Sequence, residues 1–139
     1  MRPVPVEVRL DLQELSARYA FSCDTRDYGA IGALFAEDGV FDETVIGLPL
    51  CRGREAIHAF FTSIGGAVGF VIHLNSNHLV TACDGDTASA TSHLHVEGVL
   101  HGKAVKILGY YADDYVRTAG VWRFRQRKLV AIAPPTGFE

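Results

Sequence analysis

A chain of 139 residues, 48% of them hydrophobic and 21% charged, has the composition of one folded globular domain and excludes a disordered protein. The net charge is −3 with neutral histidines, and no stripe of lysine and arginine runs along the sequence, which argues against nucleic acid as a partner. No apolar run reaches the ~20 residues that a membrane helix needs, and the first residues lack the apolar segment of a secretory signal. We therefore expect a single domain over residues 1–139, located in the cytoplasm and without a membrane partner. The odd set of Cys23, Cys51 and Cys83 indicates reduced thiols.

The first third of the sequence predicts two helices. Four apolar residues recur at helical spacing over residues 6–23 and predict an amphipathic helix: Val8, Leu12, Leu15 and Tyr19. Asp27 is placed to cap a second, short helix that carries Ile31, Leu34 and Phe35. The Glu37-Asp38-Gly39 run is expected to end that helix, and residues 40–45 predict a short strand.

A third helix and four strands are predicted for the rest. The helix follows Arg52-Gly53 and ends at Gly65-Gly66, and its buried face consists of Ile57, Phe60, Phe61 and Ile64. The pattern then predicts strands near residues 70–82, 87–100, 103–117 and 121–132, followed by a tail over residues 133–139. Helices followed by a strand meander indicate the α+β class, with three N-terminal helices packed on a curved, mostly antiparallel sheet.

Two residues are the strongest candidates for chemistry: Asp24, just past the first helix, and His73, in an apolar strand. A carboxylate that orients an imidazole is the minimal machinery for proton abstraction in a water-poor pocket. Strand alternation places His73, Asn75 and Asn77 on one face, which indicates a wet cavity or an interface. We predict that His73 is a general base and that Asp24 fixes its tautomer. A core histidine and an aspartate that accepts backbone N–H bonds in a turn are the structural alternatives.

The sequence leaves a structural and a functional role open for other polar residues. Tyr19 lies on the apolar face of its helix and either packs in the core or donates its hydroxyl to a substrate oxygen. Arg127 is either a solvated strand residue or a group that stabilises developing negative charge. His93, His95 and Glu97 share one strand face, and two imidazoles that project from one face can bind a metal. Since the sequence assigns no further ligand beside them, we predict no metal.

Several sequence segments, spread over nearly the whole chain, resemble the SnoaL-like branch of the nuclear transport factor 2-like superfamily. They are residues 19–28, 33–41, 52–57, 84–88 and 120–124. The resemblance implies a cone-like α+β barrel open at one end, without a cofactor. The run 72–77 is most similar to the small lyases: scytalone dehydratase, hexachlorocyclohexane dehydrochlorinase and bile acid 7α-dehydratase. In these relatives the histidine that corresponds to His73 is paired with an aspartate that corresponds to Asp24. Their further pocket residues correspond to Tyr19 and Arg127.

The sequence thus predicts a cofactor-independent lyase or isomerase that abstracts a proton from a small, mostly apolar ring compound. The predicted catalytic residues are His73, Asp24, Tyr19 and Arg127. The predicted substrate-binding residues are Asn75, Asn77, Phe60 and Glu97. One alternative is a non-catalytic module for ligand binding or subunit assembly, and another is a polyketide cyclase or ketosteroid-isomerase-like enzyme with Asp24 as base. The resemblance also implies that His95 or Glu97 lines the pocket, or that the face of His93, His95 and Glu97 is a dimer interface. It further implies a homo-oligomer, dimer or trimer, that associates through the sheet.

Overall fold

A computed structural model describes residues 3–139 as three helices packed on one six-stranded sheet, so that Met1 and Arg2 of the predicted domain lie outside the described residues. The helices are α1 (Val6–Asp24), α2 (Tyr28–Gly32) and α3 (Arg54–Gly65), and a short 3-10 helix spans Thr44–Ile46. The strands are β1 (Phe35–Asp42), β2 (Cys51–Arg52), β3 (Val68–Asp84), β4 (Thr87–Leu100), β5 (Lys103–Thr118) and β6 (Val121–Ala131).

The strand order is β2-β1-β6-β5-β4-β3, with β1 and β6 parallel and every other pair antiparallel. The α+β class and the mostly antiparallel sheet are therefore confirmed. The curved sheet does not close, because β2 and β3 form its two edges. The four long strands agree with the predicted ones to within two residues at each end. Among the described helices, none is long and apolar enough to cross a membrane.

Helix α1 ends at the residue on which the site depends. Its buried stripe includes Leu12, Leu15, Tyr19 and Cys23, at the three- to four-residue spacing that faces a core. The chain turns at Arg26, which has a φ of 63°. The Arg26 guanidinium donates to the backbone carbonyls that begin β3, at 2.9 and 2.6 Å, so the end of α1 is tied to the start of β3.

The predicted extent of the second helix was wrong. Helix α2 ends at Gly32, and Phe35 already lies in β1, where it pairs with Phe124 of β6. The residues expected to break the helix, Glu37-Asp38-Gly39, are part of β1, and the strand ends at Asp42. Asp27 does precede α2, but its side chain makes no capping hydrogen bond. Pairing of Phe35 with Phe124, 89 residues away, overrode the local helical pattern, which is how tertiary context outweighs propensity.

Two irregularities in strand pairing change which side chains face the helices. In β3 the register with β4 shifts between Ser76 and Leu79, and Asn77 adopts a φ of 54° there. In β6 the register with β5 skips one residue, Arg125, so that Arg127 faces the same side as Phe124. An extra residue inverts the alternation of inward and outward side chains beyond it. Both inversions fall on residues for which a role was predicted.

The core lies between the helices and the inner face of the sheet. Its largest fully buried aromatic side chains are Tyr19, Phe35, Phe41, Tyr111, Tyr115 and Phe124. Trp122, 6% exposed, belongs to it as well. The predicted tail also contributes, since Phe138 packs against this core and Thr136 exchanges two 3.0 Å backbone hydrogen bonds with Lys106.

Candidate active site

The fold brings Asp24 and His73 into direct contact, because α1 packs on β3 and ends beside it. The Asp24 Oδ1 atom lies 2.7 Å from Nδ1 of His73. The backbone N–H of His73 donates to both carboxylate oxygens, at 3.2 Å from Oδ1 and 3.0 Å from Oδ2. Both side chains are mostly buried, with exposed fractions of 12% for His73 and 20% for Asp24. One carboxylate therefore fixes both the backbone and the ring of His73.

This contact assigns the roles of the two ring nitrogens of His73. A carboxylate accepts but does not donate, so the bond to Asp24 places the ring proton on Nδ1. Nε2 has no hydrogen-bond partner among the described residues. The neutral imidazole thus keeps a free lone pair at Nε2, which is the arrangement that a general base needs.

His73 lines an apolar cavity of about 90 Å³. Its apolar walls come from the helices, the inner sheet face and the C-terminal segment, and include Leu48, Phe60, Phe61, Ile64, Val71, Val96, Ile107 and Phe138. Four further side chains supply polar atoms: Tyr19, Cys23, Tyr28 and Glu43. Phe70 also lines the cavity and is 58% exposed, so its side chain marks the mouth.

A second, polar groove of about 540 Å³ reaches the same dyad between α1 and β3. It is lined by Asp24 and His73 together with Asn75, His78 and Ser92. The Asn75 amide, the His78 Nδ1 atom and the Ser92 hydroxyl are buried there without a hydrogen-bond partner. Unpaired buried polar groups of this kind are where ordered water binds. The imidazole therefore lies between an apolar cavity and a polar groove.

Tyr19 lies next to the dyad, with its ring edge-on to the His73 ring at a centroid distance of 6.1 Å. It is 1% exposed and lines the apolar cavity. Burial, together with the neighbouring Tyr111 hydroxyl, raises the pKa of Tyr19 well above its usual value. Tyr19 is therefore a neutral hydroxyl at every physiological pH, which suits a hydrogen-bond donor.

Arg127 is neither solvated nor part of the cavity wall. It is fully buried and forms a two-point ion pair with Asp113, at 2.9 Å from Nε and 3.0 Å from Nη2. Its guanidinium lies 3.7 Å from the Tyr111 ring centroid and 4.5 Å from that of Tyr19. Burial alone would lower the pKa of Arg127, but the Asp113 carboxylate raises it above the usual value. This arginine supports the floor beneath Tyr19 and does not reach the cavity itself.

The dyad lies in a chain whose sequence matches the SnoaL-like domain family over residues 5–128. The chain belongs to that family. A candidate aromatic ring hydroxylase from Novosphingobium aromaticivorans superimposes with a TM-score of 0.91 at 34% identity, over 96% of this chain and 95% of that one. A candidate scytalone dehydratase from the same organism has a TM-score of 0.84 at 23% identity, over 96% and 89%. A hexachlorocyclohexane dehydrochlorinase has a TM-score of 0.83 at 19% identity, over 92% and 87%. The last two show a shared fold.

Of the predicted substrate contacts in this SnoaL-like domain, Phe60 lines the apolar cavity and Asn75 lines the polar groove. Asn77 does not follow Asn75 on the inner face, because the register shift of β3 intervenes. Its side-chain amide lies 2.9 Å from Nδ1 of His93, an exposed residue, so Asn77 stands at the rim of the groove. The inward position falls to His78, which the sequence did not suggest. Burial lowers the pKa of His78, and its Nε2 lies 3.3 Å from the Tyr115 hydroxyl.

Glu97 lies on the outer face of the sheet of this SnoaL-like domain, away from the cavity. Its carboxylate is 3.1 Å from His95 and 3.8 Å from Lys106, and half of its side-chain surface is exposed. The inner positions of this part of β4 are taken by Leu94, Val96 and Gly98. Within residues 3–139, no three His, Cys, Asp or Glu side chains are grouped closely enough to hold a metal ion.

Sequence reasoning missed Glu43, which follows β1 directly and lines the cavity of this SnoaL-like domain. Burial raises the pKa of Glu43 to about 7, although the charge of Arg127 opposes the shift. A signal was present, since Phe41 faces inward and alternation places Glu43 on the same side. The extent to which this carboxyl is buried depends on elements far away in sequence.

Proposed function

We propose that this protein is a cofactor-independent lyase in which His73 removes a proton from a small, mostly apolar ring compound. The observation that carries the proposal is the 2.7 Å contact between Asp24 and Nδ1 of His73 at the wall of an apolar cavity. Nε2 of His73 takes a proton from a carbon next to an activating carbonyl, and the bonding electrons form a double bond. The leaving group departs with its own electron pair. Asp24 stabilises the imidazolium, and such general-base catalysis contributes about 10²–10⁴-fold in rate.

The cavity supports a small ring compound as substrate. Its wall is almost entirely hydrocarbon, which favours an apolar body with one or two polar groups. Its 90 Å³ is less than the ~150 Å³ of a cavity that binds benzene, so a ring enters when side chains at the mouth move. Phe60, which is half-buried, and Phe70, which is exposed, can do so. The names of the similar proteins, a ring hydroxylase and a scytalone dehydratase, also point to ring compounds.

The placement of the dyad favours His73 over Asp24 as the base. His73 lines the apolar cavity, whereas Asp24 lines only the polar groove behind it. Both oxygens of Asp24 already accept hydrogen bonds from His73. The cyclase or isomerase alternative, in which Asp24 attacks the proton, requires that carboxylate to reach the substrate past the imidazole.

Proton abstraction can be tested before the leaving group is known. A panel of cyclic ketones is incubated with protein in D₂O, and NMR follows deuterium uptake at the carbon next to the carbonyl. We expect wild type to exchange at least one ketone and His73→Ala to lose about 100-fold or more of that rate. His93→Ala is the matched control, since His93 is an exposed histidine on the next strand. It should match wild type.

The same assay separates the rival functions. A binding module would bind ketones, visible as ligand line broadening, yet never exchange them. With Asp24 as base, Asp24→Asn would lose as much rate as His73→Ala, and His73→Gln would keep most of it. Binding without exchange by wild type, or exchange that survives in His73→Gln, would overturn the assignment of His73 as the base.

A further inference from the structure

We infer that Glu43 is a second catalytic group of the cavity, a neutral carboxylic acid that protonates a leaving hydroxyl group while His73 removes the carbon-bound proton. This inference rests on the proposed function. It narrows the substrate class to a cyclic carbonyl compound with a hydroxyl on the β carbon, and the reaction to loss of water.

The first support is the placement of Glu43. It lies in the turn between β1 and the 3-10 helix, and its side chain lines the same cavity as His73. Within residues 3–139 its carboxyl group makes no hydrogen bond and no salt bridge. Glu43 is half-buried, so its carboxyl reaches the open space of the cavity, where a bound substrate rather than a protein group would meet it.

The neighbouring Asp42 shows that the turn does not need Glu43 for its own structure. The Asp42 carboxylate accepts the backbone N–H of Thr44 at 3.0 Å and the Thr44 hydroxyl at 2.7 Å. These bonds satisfy the start of the 3-10 helix. Two adjacent acidic residues thus differ in their environment: Asp42 has partners near the surface, and Glu43 has none beside the cavity.

The surroundings of Glu43 keep a fraction of its carboxyl group protonated, and therefore neutral, at physiological pH. Burial raises the pKa of its carboxyl to about 7. The charge of Arg127 on β6 opposes this rise, but Arg127 is already neutralised by its ion pair with Asp113. Asp42 on β1 adds to the rise. Four other titratable groups near the carboxyl are neutral because burial raises the pKa of each: Tyr19 and Cys23 of α1, Tyr111 of β5 and Cys51 of β2. His73 and Tyr28 line the same cavity.

Dehydration requires a base for the carbon-bound proton and an acid for the leaving hydroxyl, and His73 and Glu43 of one cavity can supply them. Nε2 of His73 takes the proton, the C–H electrons form the C=C bond, and the C–O bond breaks towards oxygen. That oxygen accepts the Glu43 proton and leaves as water. The imidazolium and the Glu43 carboxylate return to their starting states by proton exchange with solvent. A chloride leaves without a proton, so dehydrochlorination needs His73 but not Glu43.

Two probes that share one product separate these steps. 3-Hydroxycyclohexanone and 3-chlorocyclohexanone both yield cyclohex-2-enone, whose ultraviolet absorption reports turnover above the buffer rate. Wild type, Glu43→Gln and the control Asp42→Asn are compared on both. The Gln side chain has the size of Glu and donates hydrogen bonds but transfers no proton. We expect Glu43→Gln to lose about 100-fold or more on the hydroxyl probe and less than about threefold on the chloride. Asp42→Asn should be near wild type on both.

Each other outcome overturns one identified claim. Equal losses on both probes, or no loss on either, would remove the acid role from Glu43. Turnover of the chloride alone by wild type would do the same and leave the role of His73 intact. Wild type inactive on both probes would overturn the proposed function together with this inference. As a readout without turnover, carbon-13 NMR of labelled Glu43 should show a carboxyl that is still partly protonated at pH 7, and full ionisation by pH 5 would contradict the inference.

Discussion

Asp24 binds His73 at two points, the ring Nδ1 at 2.7 Å and the backbone N–H at 3.0 Å. The second contact joins the last residue of α1 to the edge strand β3 whatever side chain occupies position 73. The two members of the dyad therefore differ in what they contribute to the stability of the fold, although both are predicted to serve one reaction.

We expect Asp24→Ala to destabilise the protein more than His73→Ala does. Asp24→Ala leaves the N–H of His73 and its ring without their charged acceptor, and hydrogen bonds to charged groups are worth about 1.5–3 kcal/mol each. His73→Ala keeps the bond from Asp24 to the backbone and should cost about 1–2 kcal/mol in lost packing. Urea denaturation of both variants measures the difference. The reverse order would show that the imidazole, rather than the carboxylate, holds α1 to β3.

The dyad could be predicted from the sequence because each residue occupies a local landmark. Asp24 ends a regular apolar stripe, and His73 interrupts an apolar strand. The face of the sheet from which the Arg127 side chain projects could not be predicted in the same way. Strict alternation from Phe124 turns Arg127 outward, and only the extra residue Arg125 in the pairing of β6 with β5 turns it in. Strand registers of this kind are set by partners that the local pattern does not contain.

Because Arg127 points into the core, we expect its replacement to lower the stability of the protein. Arg127→Met leaves the Asp113 carboxylate buried without its cation, which costs about 3–5 kcal/mol. The double variant Arg127→Met with Asp113→Leu removes both charges and should recover much of that loss. Lys128→Ala, an exposed neighbour, should stay within about 0.5 kcal/mol of wild type. Denaturant midpoints report all three, and a harmless Arg127→Met would mean that water reaches Asp113.

The homo-oligomer through the sheet remains a prediction, and the outer face offers a surface for it. Ile72 and Leu74 of the edge strand β3 are 46% and 54% exposed, and Leu108 on β5 is 38% exposed. Leu74 of β3 and Leu108 of β5 flank His95 of β4, so these exposed apolar side chains lie on either side of a polar central strand. We expect light scattering to find a dimer or trimer that Leu74→Glu weakens at least tenfold. Val45→Glu, at an equally exposed position outside the sheet, should not, and a monomeric wild type would refute the prediction.

Glu43 should make the protein less stable as the pH rises through neutrality. In the unfolded chain its carboxyl ionises near its ordinary pKa of 4.5, whereas burial raises the pKa in the folded protein to about 7. Between these values the folded protein holds a proton that the unfolded chain has lost, so a higher pH favours unfolding. The contribution is fully present below pH 4.5 and is lost as the pH rises through 7, by about 3 kcal/mol at 1.36 kcal/mol per pKa unit. Glu43→Gln cannot ionise and should therefore gain stability relative to wild type between pH 5 and pH 8.

Asp42→Asn should show the opposite sign in acid, because hydrogen bonds from Thr44 lower the pKa of Asp42 and its contribution is lost as the pH falls. Thermal unfolding of the three proteins across this range tests both signs, and a wild-type-to-Gln difference that does not change with pH would mean that the Glu43 carboxyl is hydrated in the folded state.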